Sequence, residues 1–262
     1  TLYATQSERH RKRWRIGMVN SIVRLGDGLD GMLSLETGSV DLVLTDLPSG
    51  ETAAEFDKPV DLDKFFKASW HCLKHGGPVV VMASSLKFAA KLMATGGNTY
   101  RYDWIWNKTR PTGFMNAKKR PLRSHEFVLV FCRQAPPYNP QMVETGVPIT
   151  ANTKPGQKYI NSFNDENYGV RKLGPSRAGA TDRYPTSVIK HHSIGANAKN
   201  RIHAQQKPDS LFENMVLTYT NPGELVVDPC AGSGTTARAA TNTGRRYMCW
   251  DLSERFGNAS NN

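Results

Sequence analysis

Residues 226–240 read VVDPCAGSGTTARAA, and this stretch decides the fold. An apolar run ends at Asp228, a turn containing Gly232 and Gly234 follows, and helix-forming residues resume at Thr235. Glycine allows the backbone to approach a ligand closely, and the N-terminus of the next helix then faces that ligand. The pattern predicts a buried strand, a glycine-rich turn and a helix, an arrangement that suits a nucleotide-like ligand.

Two motifs that the turn lacks restrict the class of ligand that it can bind. The stretch does not contain G-x-G-x-x-G, and no lysine follows the glycines as a phosphate-binding loop requires. A dinucleotide or a triphosphate is therefore disfavoured. A second apolar run, RRYMCWD at 245–251, ends in Asp251, where an acid is placed to hold a ribose diol. The alternative is a tight turn beside an exposed aspartate, without a ligand.

Further strands and helices alternate along the chain. Runs rich in valine, isoleucine and leucine predict buried parallel strands at 40–46, 77–84, 126–132 and 224–230. Helical spacing of apolar residues predicts helices at 61–77, 85–97, 207–223 and 235–243. The first should close at Gly76–Gly77, and the second should begin at a serine N-cap. Strand followed by helix, repeated, indicates an α/β domain with a mostly parallel sheet.

The middle of the chain has a different composition. Residues 133–206 are rich in proline, glycine, asparagine and lysine and lack long apolar periodicity, and such a stretch is too long for an ordinary connection. We interpret 134–206 as an insertion into a single domain spanning 1–262. The insertion is either disordered or a mobile region that contacts the substrate.

Charge and cysteine usage restrict the partners and the compartment. Lysine and arginine total 34 against 23 acidic residues, a net charge of +11, which suggests a polyanionic partner. A generally basic protein is the alternative.

The four cysteines lie far apart without a Cys-x-x-Cys pair, so we expect free thiols and no metal site. No apolar run approaches the roughly 18 residues of a membrane span, and the basic N-terminus lacks the apolar core of a secretory signal. We expect a cytoplasmic protein.

A second candidate site lies at 40–50, VDLVLTDLPSG. The apolar run carries the chain to Asp46, and a turn with Pro48 follows. Such a turn can present a carboxylate and backbone carbonyls to an amino group. Strands that end in Asp-x-Pro are common, so an ordinary strand end is the alternative.

The two sites together resemble the S-adenosylmethionine-dependent DNA amino methyltransferases, which act on N6 of adenine or N4 of cytosine. The catalytic turn precedes the cofactor turn, which is the motif order of the permuted β group. The similarity continues through the blocks at 26–48, 102–133 and 203–236, and extends to phage and prophage members. It implies a Rossmann-like, twisted, mostly parallel sheet in permuted order, with a target-recognition insertion.

The resemblance implies roles in cofactor binding. Asp251 would take the ribose hydroxyls, Lys207 would meet the methionine carboxylate, and Asp27 would lie near the adenine. A solvated lysine at a helix start is the alternative for Lys207. The methionine and ribose side of the cofactor would be lined by Asp228, Pro229, Cys230, Ala231, Gly232, Ser233, Gly234 and Thr235.

The resemblance also implies a catalytic turn formed by Asp46, Leu47, Pro48 and Ser49. The exocyclic amine is a poor nucleophile because its lone pair is delocalised into the base. Hydrogen bonds from the amine to Asp46 and to the Leu47 carbonyl would favour a pyramidal nitrogen that attacks the sulfonium methyl in line. An aspartate at this position favours N6-adenine, and the N4-cytosine enzymes, which more often carry serine, are the alternative.

Ser49 departs from the family pattern, Asp-Pro-Pro-Tyr, whose aromatic ring stacks on the flipped base. Base–aromatic stacking is worth about 1–3 kcal/mol, so its loss should weaken the enzyme without abolishing the chemistry. Trp104, Trp106 and Phe114 are candidate substitutes, although core or loop roles suit them better. The second hypothesis is therefore that the protein is a catalytically weak or inactive DNA-binding relative of these enzymes.

Double-stranded DNA is the expected partner. A basic stretch would contact it through Lys108, Arg110, Phe114, Asn116, Lys118, Lys119, Arg120 and Arg123. Methylation of RNA or of a protein amide is disfavoured because those enzymes usually carry the cofactor motif first. Family members often form homodimers, and the sequence leaves the oligomeric state, the recognition site and a restriction partner open.

Overall fold

The computed structural model describes residues 21–52, 54, 57–150, 163–165, 169–171, 177–194 and 206–253. The chain divides into two compact units. The first holds the described residues up to Asn139 and from Ser187 onward, and the second is Pro140–Thr186.

An eight-stranded sheet lies at the centre of the first unit. Its strands are β1 (Ile22–Leu25), β2 (Leu42–Thr45), β3 (Val79–Ala83), β4 (Tyr100–Thr112), β5 (Arg123–Phe131), β10 (Val188–His191), β11 (Leu225–Asp228) and β12 (Arg246–Asp251). The spatial order is β1-β12-β11-β2-β3-β5-β4-β10. The strands numbered between β5 and β10 belong to the second unit.

The sheet is mostly parallel, as predicted, but β5 is not. β5 runs antiparallel to both of its neighbours, β3 and β4, whereas the other five pairings are parallel. The prediction of a parallel strand at 126–132 is therefore wrong. A short connection joins β4 to β5, and a short connection between paired strands reverses the chain direction. An apolar run in the sequence carries no information about that direction.

Five helices accompany these strands in the described residues. They are α1 (Gly28–Leu33), α2 (Leu62–Cys72), α3 (Leu86–Gly96), α4 (Asp209–Tyr219) and α5 (Thr235–Asn242). α3 begins after Ser85, whose hydroxyl accepts a hydrogen bond from the Phe88 N–H at 3.0 Å, so the predicted N-cap is confirmed. None of the helices in the described part of the chain is long and apolar enough to cross a membrane.

α2 ends earlier than predicted. The helix stops at Cys72 rather than at Gly76–Gly77, because Leu73 adopts an extended conformation and forms a bridge with Val40. Lys74 then donates its N–H to the Val40 carbonyl at 2.8 Å. The pairing with the segment that leads into β2 thus takes the chain out of the helix before the glycines.

Hydrophobic clusters cover both faces of the sheet. Side chains of β2 alternate between them, with Val43 in one cluster and Leu42 and Leu44 in the other. The first cluster includes residues of α1, α2 and α3, and the second includes residues of α4 and α5. The result is a Rossmann-like α/β architecture with helices on both faces, as predicted.

The second unit consists of short strands. β6 (Val143–Glu144) pairs with β9 (Asp182–Arg183), and β7 (Phe163–Asp165) pairs with β8 (Gly169–Arg171), both antiparallel. This unit is shorter than the insertion predicted at 134–206, since β10 belongs to the main sheet. The interpretation as a target-recognition insertion in a single domain stays a prediction.

Candidate active site

Four acids predicted from the sequence follow four neighbouring strands. Asp27 comes after β1, Asp251 ends β12, Asp228 ends β11, and Asp46 comes directly after β2. These strands are adjacent and parallel, so their carboxyl ends lie along one edge of the sheet. In open α/β sheets, ligands bind outside this edge.

The pKa of Cys230 indicates that these four acids lie near one another. Burial raises the pKa of the Cys230 thiol, and the charges of Asp228, Asp251, Asp46 and Asp27 raise it further. These surroundings favour the protonated thiol over the nucleophilic thiolate. The other three cysteines are free and buried.

Two glycines shape the predicted cofactor turn. Gly232 and Gly234 have φ of 50° and 74°, in the left-handed region that glycine adopts without strain. Gly232 donates its N–H to Asp251 Oδ2 at 2.8 Å, which joins the turn to the end of β12. α5 begins directly after Gly234, as the sequence predicts. Ala231 is buried, and Ser233 and Thr235 are buried with their hydroxyls 3.1 Å apart.

Asp228 supports this turn from inside. Its carboxylate is buried and accepts hydrogen bonds from the Cys230 N–H at 2.9 Å and the Thr236 hydroxyl at 2.5 Å. Burial raises the pKa of Asp228 to about 6, although both hydrogen bonds oppose the shift. The residue shapes the turn, and its carboxylate faces the protein interior.

The turn after β1 packs against the cofactor turn. Asp27 caps α1, accepting from the Leu29 N–H at 2.8 Å and the Asp30 N–H at 3.0 Å. Gly26 donates its N–H to the Asp251 carbonyl at 2.9 Å. A Cβ placed on Gly28 would lie 2.0 Å from the Pro229 carbonyl oxygen. The first turn of α1 thus leaves no room for a side chain at this contact.

Gly28→Ala is expected to lower the free energy of unfolding by about 1–3 kcal/mol, the usual cost of overpacking, because backbone atoms cannot rotate away as a side chain would. Cofactor affinity should fall with it, since Pro229 belongs to the cofactor turn. Urea unfolding and cofactor titration measure the two effects. The control is Gly76→Ala, where an added Cβ meets open space. Equal losses in the two variants would contradict the packing argument.

The predicted catalytic turn combines one accessible carboxylate with a buried neighbour. The Asp46 side chain keeps 33% of its surface exposed, so a substrate can reach it. Leu47 is buried in the first hydrophobic cluster, which anchors the turn to the core. Pro48 and Ser49 are half-buried.

Asp57, which the sequence analysis missed, holds the chain after the catalytic turn. Its two carboxylate oxygens accept backbone N–H bonds from Ser49, Gly50, Glu51 and Thr52 at 2.7 to 3.1 Å. Burial alone would raise the pKa of Asp57, but a hydrogen bond from the Thr52 side chain and the backbone N–H bonds lower it below its ordinary value. The charged carboxylate thus organises this loop chiefly through four backbone N–H groups.

A chain of alternating charges extends from Asp46 into the protein. Lys207 Nζ lies 2.7 Å from Asp46 Oδ2 and 3.4 Å from Glu126 Oε2, and Lys108 Nζ lies 2.9 Å from Glu126 Oε1. Burial would lower the pKa of Lys207, but Asp46 and Glu126 raise it above its ordinary value, so the ammonium is charged. Sequence analysis missed Glu126, because only the sheet order brings β5 near Asp46.

The structure places Lys207 and Lys108, two of the predicted site residues, in surroundings that the sequence did not indicate. Lys207 is buried against two carboxylates, and this structure shows it paired with Asp46, the predicted catalytic aspartate. Lys108, predicted to contact DNA, is 6% exposed and paired with Glu126, because its position on β4 points it to the buried face with Trp106. Its ammonium is therefore not presented to a phosphate at the surface.

The other predicted DNA contacts lie in or beside the connection between β4 and β5. Phe114 is 67% exposed and Met115 is fully exposed at its tip. Asn116 is half-buried, and the cationic side chains that are exposed are Arg110, Lys118, Lys119, Arg120 and Arg123. Trp104 and Trp106 are buried in the core, so they offer no face to a base.

The donor set at this edge fits S-adenosylmethionine. Asp251 and Asp27 are acids that suit a ribose diol and an adenine amine, and the glycine turn brings backbone close to a ligand. Among the residues that the structure describes, no group of three or more histidine, cysteine, aspartate or glutamate side chains is arranged to hold a metal ion.

The fold and this edge define an α/β protein built to bind a nucleoside-containing cofactor beside an accessible carboxylate. A family model described as DNA methylase, covering the N6 and N4 enzymes, matches residues 40–262. The chain belongs to this family of S-adenosylmethionine-dependent DNA amino methyltransferases. The predicted family, the fold class and the cofactor are confirmed, whereas the resemblance to phage members stays a prediction.

Curated relatives are bacterial DNA methyltransferases. Type II methyltransferase M.HpaI of Haemophilus parainfluenzae is 24% identical over 243 residues, which is 88% of this chain and 69% of that protein. DNA adenine methyltransferase YhdJ of Escherichia coli K12 is 24% identical over 260 residues, 92% of this chain and 82% of that protein. The match to M.BglII of Bacillus subtilis covers 65% of that protein, so the chain spans about two thirds of the type II relatives.

Solved structures share the fold. The cytosine-N4-specific PvuII DNA methyltransferase superposes with a TM-score of 0.65 at 17% identity, covering 93% of this chain and 86% of that one. The complex of M1.HpyAVI with S-adenosylmethionine gives 0.57 at 18% identity, covering 91% of this chain and 97% of that one. At these identities the likeness establishes the fold alone.

Proposed function

We propose that this protein methylates the exocyclic amine of a flipped base in double-stranded DNA, at N6 of adenine within a specific site. The observation that carries the proposal is the position of Asp46. Its accessible carboxylate follows β2, the strand that pairs directly with β11, from which the cofactor turn emerges. The methyl acceptor and the methyl donor would therefore meet at one edge of the sheet.

The chain's own residues would bind, orient and align the reactants. S-adenosylmethionine supplies an electrophilic methyl group on a sulfonium. Asp251 and Asp27 would hold the nucleoside end of the cofactor, and the turn at 232–234 would lie along its methionine side. Asp46 and the Leu47 carbonyl would accept the amino hydrogens and direct the nitrogen lone pair at the methyl group. Positioning and electrostatics suffice, with no covalent bond between enzyme and DNA.

Adenine is the first choice of base, and N4 of cytosine is the second. The aspartate that begins the catalytic turn favours adenine, and a relative matched over most of this chain is named a DNA adenine methyltransferase. The cytosine-N4-specific PvuII enzyme shares the fold, which supports the alternative.

The deciding experiment is transfer of labelled methyl from S-adenosylmethionine to unmethylated bacterial DNA, with the product nucleosides identified by mass. N6-methyladenine supports the proposal, and N4-methylcytosine replaces it with the alternative. Parallel reactions with RNA and with protein separate the remaining substrate classes. Cofactor binding without any labelled product would point to an inactive DNA-binding relative.

The exposed cations between β4 and β5 would follow the DNA backbone. Replacing Lys118, Lys119 and Arg120 together by glutamine should lower the slope of log K against log salt by about 3, since each phosphate contact contributes about 0.9. DNA affinity measured at several salt concentrations gives this slope. The control is glutamine at Lys67, Lys87 and Lys91, exposed lysines of α2 and α3 that carry the same charge. An equal change in the control would show that net charge, rather than the loop, attracts DNA.

We also propose that the unit Pro140–Thr186 contributes to recognition of the target site. Among its described residues it presents Tyr184, which is 61% exposed, with the Arg177 guanidinium 4.9 Å from the ring centroid. An arginine stacked on an accessible aromatic ring offers both charge and a flat face to nucleic acid. Homodimer formation stays a prediction from the family resemblance.

A further inference from the structure

The charged side chains behind Asp46 form a second layer of the site. We infer that Lys207 is a positioning residue for Asp46, fixing the orientation and the ionised state of its carboxylate, and that Glu126 holds Lys207 in place. The role of Asp46 rests on the proposed function, whereas the ion pairs are properties of the protein itself.

Geometry first supports the role of Lys207. Its side chain is 10% exposed, and its ammonium lies between two carboxylates, 2.7 Å from Asp46 and 3.4 Å from Glu126. A buried ammonium needs such partners because its desolvation is costly. The contact with Asp46 uses Oδ2, so Oδ1 is the oxygen that Lys207 leaves to a target amine. A carboxylate held at one oxygen presents the other in a fixed direction.

The charge of Lys207 also affects the protonation of Asp46. Burial raises the pKa of Asp46, Lys207 opposes this increase, and the negative charges of Glu126 and Asp57 add to it. The charge of Asp46 in turn contributes to the raised pKa values of Asp228 and Cys230. Lys207 is the cation in contact with Asp46 among the described residues, so it is the group that favours the ionised carboxylate.

Glu126 keeps the ammonium near Asp46. Burial would raise the pKa of Glu126, but Lys207 and Lys108 lower it below its ordinary value, so it remains charged with them. Its Oε2 is buried without a well-directed hydrogen bond in the described residues, although Lys207 Nζ lies 3.4 Å away. Glu126 therefore attracts Lys207 by charge, and Lys108 compensates Glu126 from the other side.

The first measurement is the pKa of Asp46 in the protein without cofactor or DNA. Carboxyl ¹³C NMR of aspartate-labelled protein gives it, and Asp46→Asn identifies the signal. Lys207→Met should raise this pKa by about 1–3 units, the usual effect of a neighbouring cation on a carboxylate. Lys207→Arg keeps the charge and should hold the pKa within about half a unit of the parent value.

The second measurement is the pH dependence of kcat. The reaction needs ionised Asp46, so activity falls as the pH drops through the Asp46 pKa. A higher pKa in Lys207→Met moves this fall to higher pH, and raising the pH restores part of the lost rate. If Lys207 served only the cofactor carboxylate, the Lys207→Met change would instead raise the KM for S-adenosylmethionine. The pH dependence of kcat would then stay as in the parent protein.

Glu126→Gln keeps the inference testable if Lys207→Met does not fold. Removing the Glu126 charge should raise the pKa of Asp46, because the Lys207 ammonium is then no longer held beside Asp46 by a second carboxylate. An unchanged Asp46 pKa in Lys207→Met, or an unchanged or lowered one in Glu126→Gln, overturns the inference. The NMR titration decides this whether or not methyl transfer is detected, so failure of the proposed function remains distinguishable.

Discussion

Asp46→Asn is expected to lower kcat for methyl transfer by about 100- to 1,000-fold. Asparagine has the same shape but lacks the negative charge that attracts the amino hydrogens, and loss of one preorganised electrostatic contact in an active site costs this much. Steady-state rates with labelled S-adenosylmethionine measure the effect. Cofactor affinity should change only a few-fold, because the predicted cofactor contacts lie on other strands.

The matched control for this variant is Asp63→Asn. Asp63 is an exposed aspartate in the first turn of α2. Its replacement should leave kcat within about twofold, since substitutions of exposed side chains usually have small effects. A loss of less than tenfold in Asp46→Asn, with the fold intact, would remove Asp46 from the catalytic role.

Ser49→Tyr is expected to raise kcat/KM for DNA by about 10- to 100-fold. A ring at this position would restore stacking on the flipped base, worth about 1–3 kcal/mol. The change would spare the short contact with Asp57, because the backbone N–H of Ser49 makes it at 2.7 Å, whereas the hydroxyl lies 3.5 Å away. Neither Trp104 nor Trp106 offers a substitute ring, since both are buried.

Ser49→Leu separates stacking from simple apolar contact. Leucine adds buried carbon without a π-face, so it should recover little of the gain. Fluorescence of 2-aminopurine at the target base follows the flipped state in each variant. Equal rates for serine and tyrosine would show that another part of the protein, such as exposed Phe114, already supplies the face. A high kcat/KM in the protein with Ser49 would also exclude the hypothesis of a catalytically weak DNA-binding relative.

The acids of the site could be predicted because they depend on local pattern and on one general rule. Each follows a short apolar run, and parallel strands place their carboxyl ends on one edge. The glycine-rich turn at 232–234 could be predicted for the same reason, because it depends only on neighbouring residues. The same reasoning could not supply Asp57, which acts through four backbone N–H groups of a loop without regular pattern.

The ion pairs depended on sheet order, which no window of sequence contains. Glu126 approaches Lys207 because β5 returns antiparallel beside β3, and the sequence predicted a parallel strand there. Lys108 appeared in a basic stretch, yet strand alternation turned it inward while Lys118, Lys119 and Arg120 remained outside. Composition therefore identified an exposed basic loop but not the point at which the basic stretch turns inward.

The pairing of β2 with β11 has a consequence for biosynthesis. The hydrogen bond from the Leu225 N–H to Asp41 joins residues 184 positions apart. At about 5–20 residues per second, a ribosome needs roughly ten to forty seconds to make the chain between them. During that interval the buried edge of β2 on the β11 side lacks its partner. The emerging chain therefore carries an unpaired apolar strand edge until β11 has been synthesised, and such edges make a nascent chain prone to aggregation.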